Sequence, residues 1–320
     1  MDDASLKLTV AWIAALASLL VGLLNHYSRK QTERDLAQLK DRLDLAGKER
    51  DARRDYEYEA RKRLYEACEP LVFQAVELAE KALERIQGLA RTAAQGNLEP
   101  GAHSWLEIDE YYLNSTLYYL LAPLAIQRLL RERLTLLDQN LDPRIRTSYQ
   151  LLREAFVAFT QDFRLAGQGP ALPYDPHGEH DRQLEVSDPA RYAWQGLAQG
   201  ELEIMVDQLI PRRLEGHYLS FGEFQRLLLD RKARATFQPM FSQFSRFHPR
   251  LRPVFWRILV AQARCYSQLL ALQEGLGSGR LREEALRWHS PQEPATTADK
   301  EAVAAAEAYL RARAPRLFPG

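Results

Sequence analysis

The hydrophobic pattern of the chain changes character twice. Leu8 to Leu24 is almost wholly apolar, and no Asp, Glu, Lys or Arg occurs from Leu8 to Ser28. As a helix, Leu8 to Ser28 would be about 31 Å long, which matches a hydrocarbon core of about 30 Å. The stretch is expected to be a retained membrane span: it is preceded by Met1-Asp2-Asp3 where a cleaved leader is basic, and it ends Asn25-His26-Tyr27-Ser28 without a small-residue cleavage site. From Gln31 to Arg63 the pattern turns polar, with ten basic residues mixed among nine acidic ones. Leu36, Leu39, Leu43 and Ala46 keep a heptad rhythm there until Arg50, Arg53 and Glu57 break it. Residues 31–63 are therefore expected to be a solvated helical stalk with a short coiled-coil seam at most. As one helix it would reach on the order of 50 Å, with Gly47 as its weak point.

Beyond Leu64 the period is helical throughout, and no segment alternates convincingly like a strand. Leu71, Leu78, Leu83, Ile86 and Leu89 form one apolar face, ended by Gly96-Asn97 and Pro100-Gly101. A second helix is expected from about Glu107 to Asp138; its uncharged stretch Tyr111 to Gln127 holds Asn114, Ser115, Thr116 and four tyrosines, which suits a core helix better than a second span. Asp142-Pro143 restarts a helix that runs to Gly167. Residues 167–189, rich in Pro and Gly, are a candidate internal boundary. Further helices are expected over Arg191 to Ile210, from the capping box Ser220-x-x-Glu223 toward Phe237, from Pro253 through Leu269, and over Asp299 to Arg313. Phe237, Phe241 and Phe244 stand at core-stripe spacing. The chain is thus expected to be all-α: a span at 1–30, a charged stalk at 31–63, a multi-helix body at 64–290, and a linker with a C-terminal helix at 291–320.

Charge next to the span sets its orientation. Lys7 stands alone before it, whereas Arg29, Lys30 and Arg34 follow it closely, so the body is expected in the cytoplasm of a single-pass inner-membrane protein and the N-terminus outside. One face of the span carries Ala11, Ala14, Ala15, Ser18 and Gly22, with Asn25 continuing the stripe. Small residues let backbones approach in lipid, so this face is a candidate surface for homo-oligomerisation.

The 320 residues carry 43 basic and 43 acidic side chains, and 27% charged against 46% hydrophobic residues is ordinary for a folded protein. Cys68 and Cys265 are too few and too far apart for a disulfide framework or a thiolate zinc site. No phosphate loop, nucleophile elbow, His-Glu-x-x-His helix or paired-carboxylate motif occurs, so the chain is not expected to be an enzyme or to need a cofactor. Asp175-Pro-His177-Gly-Glu179-His180-Asp181 has metal-ligand residue types, but in a loop that fixes no geometry, and no metal is expected there.

Local charge is more informative than the zero net charge. Residues 167–210 are acidic, whereas residues 211–264 hold eleven basic side chains against Glu215, Glu223 and Asp230. Mutual neutralisation of the two blocks is one reading; an anionic ligand is the other. On the second reading the ligand-binding residues are Arg231, Lys232, Arg234, Arg246, His248, Arg250, Arg252 and Trp256. Prolines 249 and 253 favour an extended chain, which would set His248, Arg250 and Arg252 on one side at about 6 to 7 Å intervals suited to successive phosphates. Pro253 would open a helix whose N-terminal amides add donors, and Phe255 or Trp256 could stack a base if exposed, so the expected ligand is a nucleic acid such as a single-stranded DNA oligomer, or another anion.

At Tyr58-Glu-Ala-Arg-Lys-Arg-Leu-Tyr-Glu-Ala-Cys-Glu-Pro-Leu-Val-Phe-Gln74, together with the span, stalk and helical body, the chain resembles the membrane effectors of the Hailong antiphage system. The resemblance implies an oligomeric effector that depolarises the cell, for which a channel is one form of action, and that a bound DNA oligomer restrains. The bilayer, further copies of the chain and an anionic ligand are then its partners. The competing expectation is a membrane-tethered scaffold for a protein partner, such as a co-encoded one.

Overall fold

The structure, a computed structural model, describes residues 3–100, 104–175, 186–192, 194–211, 217–273, 283–290 and 296–319. Every regular element among these residues is helical. The chain divides into two compact units, Met1–Arg61 and Lys62–Gly320. Residues 167–189 fall inside the second unit, as does the C-terminal segment 291–320.

The first unit is the N-terminal part of helix α1 (Asp3–Ala94). It holds the one stretch among the described residues that is long and apolar enough to cross a membrane, and none of that window is buried. Ser18 Oγ donates to the Ala14 carbonyl at 2.9 Å and Thr32 Oγ1 to the Ser28 carbonyl at 2.8 Å, so both hydroxyls are satisfied by the helix itself.

The second unit contains the core. The part of α1 beyond Lys62 buries Leu64, Cys68, Leu71, Val72, Ala75, Ala79, Ala82, Leu83, Ile86 and Leu89, a single stripe at three- and four-residue spacing. The helix that the sequence predicts over 107–138 is two: α2 (Trp105–Ile108) and α3 (Glu110–Leu134). Asp109 separates them, because its extended backbone lets its carboxylate accept from the amides of Tyr111 and Tyr112 at 2.9 and 3.2 Å. α3 is buried from Asn114 to Gln127 apart from the half-buried Tyr119, in keeping with its uncharged sequence. Asp142 caps α4 (Pro143–Ala158) in the same way, accepting from Arg144 and Ile145 amides at 2.7 and 3.3 Å. α4 stops short of Gly167: the Phe159 carbonyl leaves the ladder to accept from Leu197 N at 2.8 Å, and α5 (Asp162–Ala166) begins separately.

The helix expected over 191–210 is also interrupted. α6 (Pro189–Tyr192) and α7 (Gln199–Gln208) flank non-helical residues 194–198. There Gly196 lies so close to Asp162 that a Cβ on it would sit 2.7 Å from the carboxyl carbon, a separation only glycine allows. The Ser220–Glu223 capping box forms and starts α8 (Phe221–Leu227). This helix ends before Phe237, because Asp230 caps a new one, α9 (Arg231–Thr236), followed by α10 (Gln238–Phe244). α11 (Pro253–Leu272) runs through the core and packs against α4, α5 and α12 (Thr297–Arg313). Its Phe255 meets Phe159, Phe244 and Phe247 at 5.3 to 6.3 Å between ring centres, all four fully buried. Each such side chain contributes about 1.5–3 kcal/mol by leaving water. Cys68 and Cys265 are free thiols in this core, and burial pushes the Cys68 thiol up to about 11.

Candidate functional site

Arg246, His248, Arg250 and Arg252 lie in the turn between α10 and α11. The turn begins at Arg246, whose left-handed backbone (φ 53°) is uncommon for a non-glycine residue. Its amide donates to Glu107 Oε1 at 3.0 Å, which anchors the turn to the end of α2. The chain from His248 to Arg252 is not extended: the His248 carbonyl accepts from both Leu251 N and Arg252 N at 2.9 Å. Nδ1 of His248 accepts from Arg250 N at 3.1 Å, closing the turn from the side-chain end as well. The ladder of cations along one side of a strand is therefore replaced by a compact loop. The sequence missed it because a side chain and a carbonyl of the same residue close the turn.

Arg234 and Arg252 reach one cleft of about 550 Å³, lined also by Leu106, Glu107, Leu113, Gln238, Phe241, Ser242, Phe244 and Ser245. Arg234 lies with its guanidinium 4.8 Å from the centre of the Phe241 ring and donates through Nη1 to Glu110 Oε1 at 2.9 Å. Arg252 Nη1 donates to the Trp194 carbonyl at 3.2 Å. Two guanidiniums, two serines and an amide in one cleft are groups that recognise a phosphate or carboxylate, since forked N–H donors match its oxygens. Glu107 in the lining and Glu110 beside it oppose this, so an anion entering the cleft competes with the Glu110 carboxylate already at Arg234.

The other predicted residues lie elsewhere. Arg250 Nη2 donates to Glu99 Oε2 at 3.1 Å, and the buried His248 places Nε2 3.5 Å from the other oxygen of the same carboxylate. Burial holds the His248 imidazole below the usual histidine range, with Glu99 opposing and Arg250 and His289 reinforcing the shift. Arg231 and Lys232 stand exposed on the first turn of α9. Trp256 is only 1% exposed and offers no ring to a base in this conformation. The amides at the start of α11 are also occupied: Gln195 Oε1 accepts from Val254 N at 2.8 Å and Phe255 N at 3.2 Å. Glu99, Glu107, Glu110 and Gln195 thus shape the site. None carried a sequence signal, since each pairs with a residue far away along the chain.

Ala11, Ala14, Ala15, Ser18, Gly22 and Asn25 are all exposed on α1. A Cβ added at Gly22 would meet nothing within 4 Å, so that position is open to a neighbour of any origin. Residues 176–185, most of the histidine-containing loop, lie outside the described residues; among those described, no group of three or more His, Cys, Asp or Glu could hold a metal. No family model, curated protein or solved structure matches this chain.

Proposed function

We propose that the chain is an oligomeric single-span membrane effector with its helical body in the cytoplasm. One observation carries this reading: no described side chain in the apolar part of α1, from Val10 onward, is buried, and a helix with exposed Leu16, Leu19, Leu20, Leu23 and Leu24 needs lipid or other copies around it. Arg29, Lys30 and Arg34 favour the cytoplasmic side for everything after the span. The small-residue face favours close packing of spans around one another, the arrangement that a channel or another membrane-disrupting assembly needs. Antiphage defence is the setting suggested by the resemblance at Tyr58 to Gln74. An anionic ligand, such as a DNA oligomer, would enter the Arg234–Arg252 cleft.

The pairing of Arg250 with Glu99 and of Arg234 with Glu110 favours a second reading, a membrane-tethered scaffold whose body binds protein and no anion. Expressing the full chain and a variant lacking residues 1–30, with growth and membrane potential followed, tests the membrane role. The effector predicts growth arrest and depolarisation only with the span; equal behaviour of the two forms overturns it. Binding of short single-stranded DNA across a salt series tests the ligand. Arg234→Glu with Arg252→Glu should weaken binding and flatten the salt slope by about 0.7 for each phosphate that the arginines no longer neutralise. Absence of binding by the parent protein leaves the scaffold.

A further inference from the structure

The first unit exposes a second apolar surface outside the membrane-spanning stretch. Leu36, Leu39 and Leu43 are 59, 54 and 64% exposed on a helix that runs uninterrupted through them. With Leu36 and Leu43 at heptad position a, Leu39 and Ala46 fall at d. The same count carried backwards places Thr32, Arg29, Asn25, Gly22, Ser18, Ala15 and Ala11 alternately at d and a. The leucine seam and the small-residue face of the span are therefore one stripe in one register. It ends where Arg50 and Arg53 occupy a and d.

We infer that residues 29–46 form a parallel, in-register coiled coil with the same segment of a second copy of this chain. The inference rests on the membrane-span reading, because anchoring in one bilayer makes neighbouring copies parallel. The flanking charges select the occupant. In a parallel pair the g residue of one helix faces the e residue five positions on in its partner. The g-to-e' pairs along this seam are Ser28 with Glu33, Asp35 with Lys40 and Arg42 with Gly47: one attractive, two neutral and none repulsive. A self-complementary pattern of this kind fits another copy of the chain better than an unrelated helix. Arg29 at a is the one position that would set like charges together. It lies next to the span, where its long side chain can turn out to the lipid headgroups.

Disulfide mapping of the full-length protein in its membrane tests the register. The two native thiols, Cys68 and Cys265, are fully buried and stay out of the reaction. Leu36→Cys and Leu43→Cys should each cross-link to their own counterpart under mild oxidation, several-fold more than Asp41→Cys and Lys48→Cys on the far face at f. Asp35→Lys should lower the yield at Leu43→Cys, and adding Lys40→Asp should restore it. The mass of the unmodified protein in detergent separates the seam from the association of the spans. An oligomer with no preference for the a positions, or with no rescue by the double reversal, overturns the seam and leaves span association standing. A monomer that also fails to cross-link overturns both. Cross-linking to a different protein overturns the choice of occupant.

Discussion

Arg257 is a charge taken almost wholly out of water, and no carboxylate among the described residues is hydrogen-bonded to it. It is held instead by backbone: Nη1 donates to the carbonyls of Leu165, Ala166 and Gln168 at 3.0, 3.2 and 2.7 Å, and Nη2 to that of Pro170 at 3.2 Å. These carbonyls stand at the C-terminal end of α5 and in the loop after it, the negative pole of a helix, so the guanidinium neutralises a partial charge and ties α11 to that loop. Burial holds its pKa below the usual arginine range, and Glu301 partly offsets this. Arg257→Met keeps the apolar stem but removes the guanidinium that donates to all four carbonyls; it should cost about 3 kcal/mol, read as a lower melting midpoint. His248 carries a pH dependence of definite sign. Burial outweighs the Glu99 carboxylate, which is half exposed and shared with Arg250, so the folded protein binds the proton less readily than the unfolded chain. Its contribution is fully present above the ordinary histidine value of 6.5 and is lost as pH falls from there through the lower folded value. Stability should therefore decline below pH 6.5, and His248→Asn, which keeps an acceptor for the Arg250 amide but takes no proton, should flatten that part of the profile.

Helix ends show which elements were legible in the sequence. Asp142-Pro143, Ser220-x-x-Glu223 and Pro253 each start a helix where the sequence places one, because a cap acts over two or three residues and can be read locally. The breaks at Asp109, Phe159, Gly196 and Asp230 were missed for two reasons. Asp109 and Asp230 cap helices inside stretches that otherwise keep a helical period. At Phe159 and Gly196 the chain is bent by partners from other elements, the Leu197 amide and the Asp162 carboxylate. The candidate site failed in the same way. Pro253 does open α11, but its cap comes from Gln195, 59 residues before Val254. Gln195→Leu would leave the Val254 and Phe255 amides buried without an acceptor. It should cost about 2 kcal/mol and raise amide exchange at the start of α11 first, ahead of the helix centre.

A chain of zero net charge combines a well-packed helical body with an N-terminal helix whose apolar window has no buried residue among those described. Among the described residues of the body's basic block, Arg234 pairs with Glu110 and Arg250 with Glu99, while Arg231 and Lys232 stay exposed. The uncovered helix is what sets this molecule apart, and its small-residue face separates an effector from a tether. A scaffold needs only to be held at the membrane, and any span would do. An effector needs its spans packed against one another, and bulk or an unrelated surface would prevent that. Replacing Leu8 to Leu24 with an unrelated monomeric span, and following membrane potential on expression, decides between them. If the protein is an effector, the exchanged form reaches the membrane at parental levels, folds, and no longer depolarises the cell. Depolarisation equal to that of the parent would contradict it.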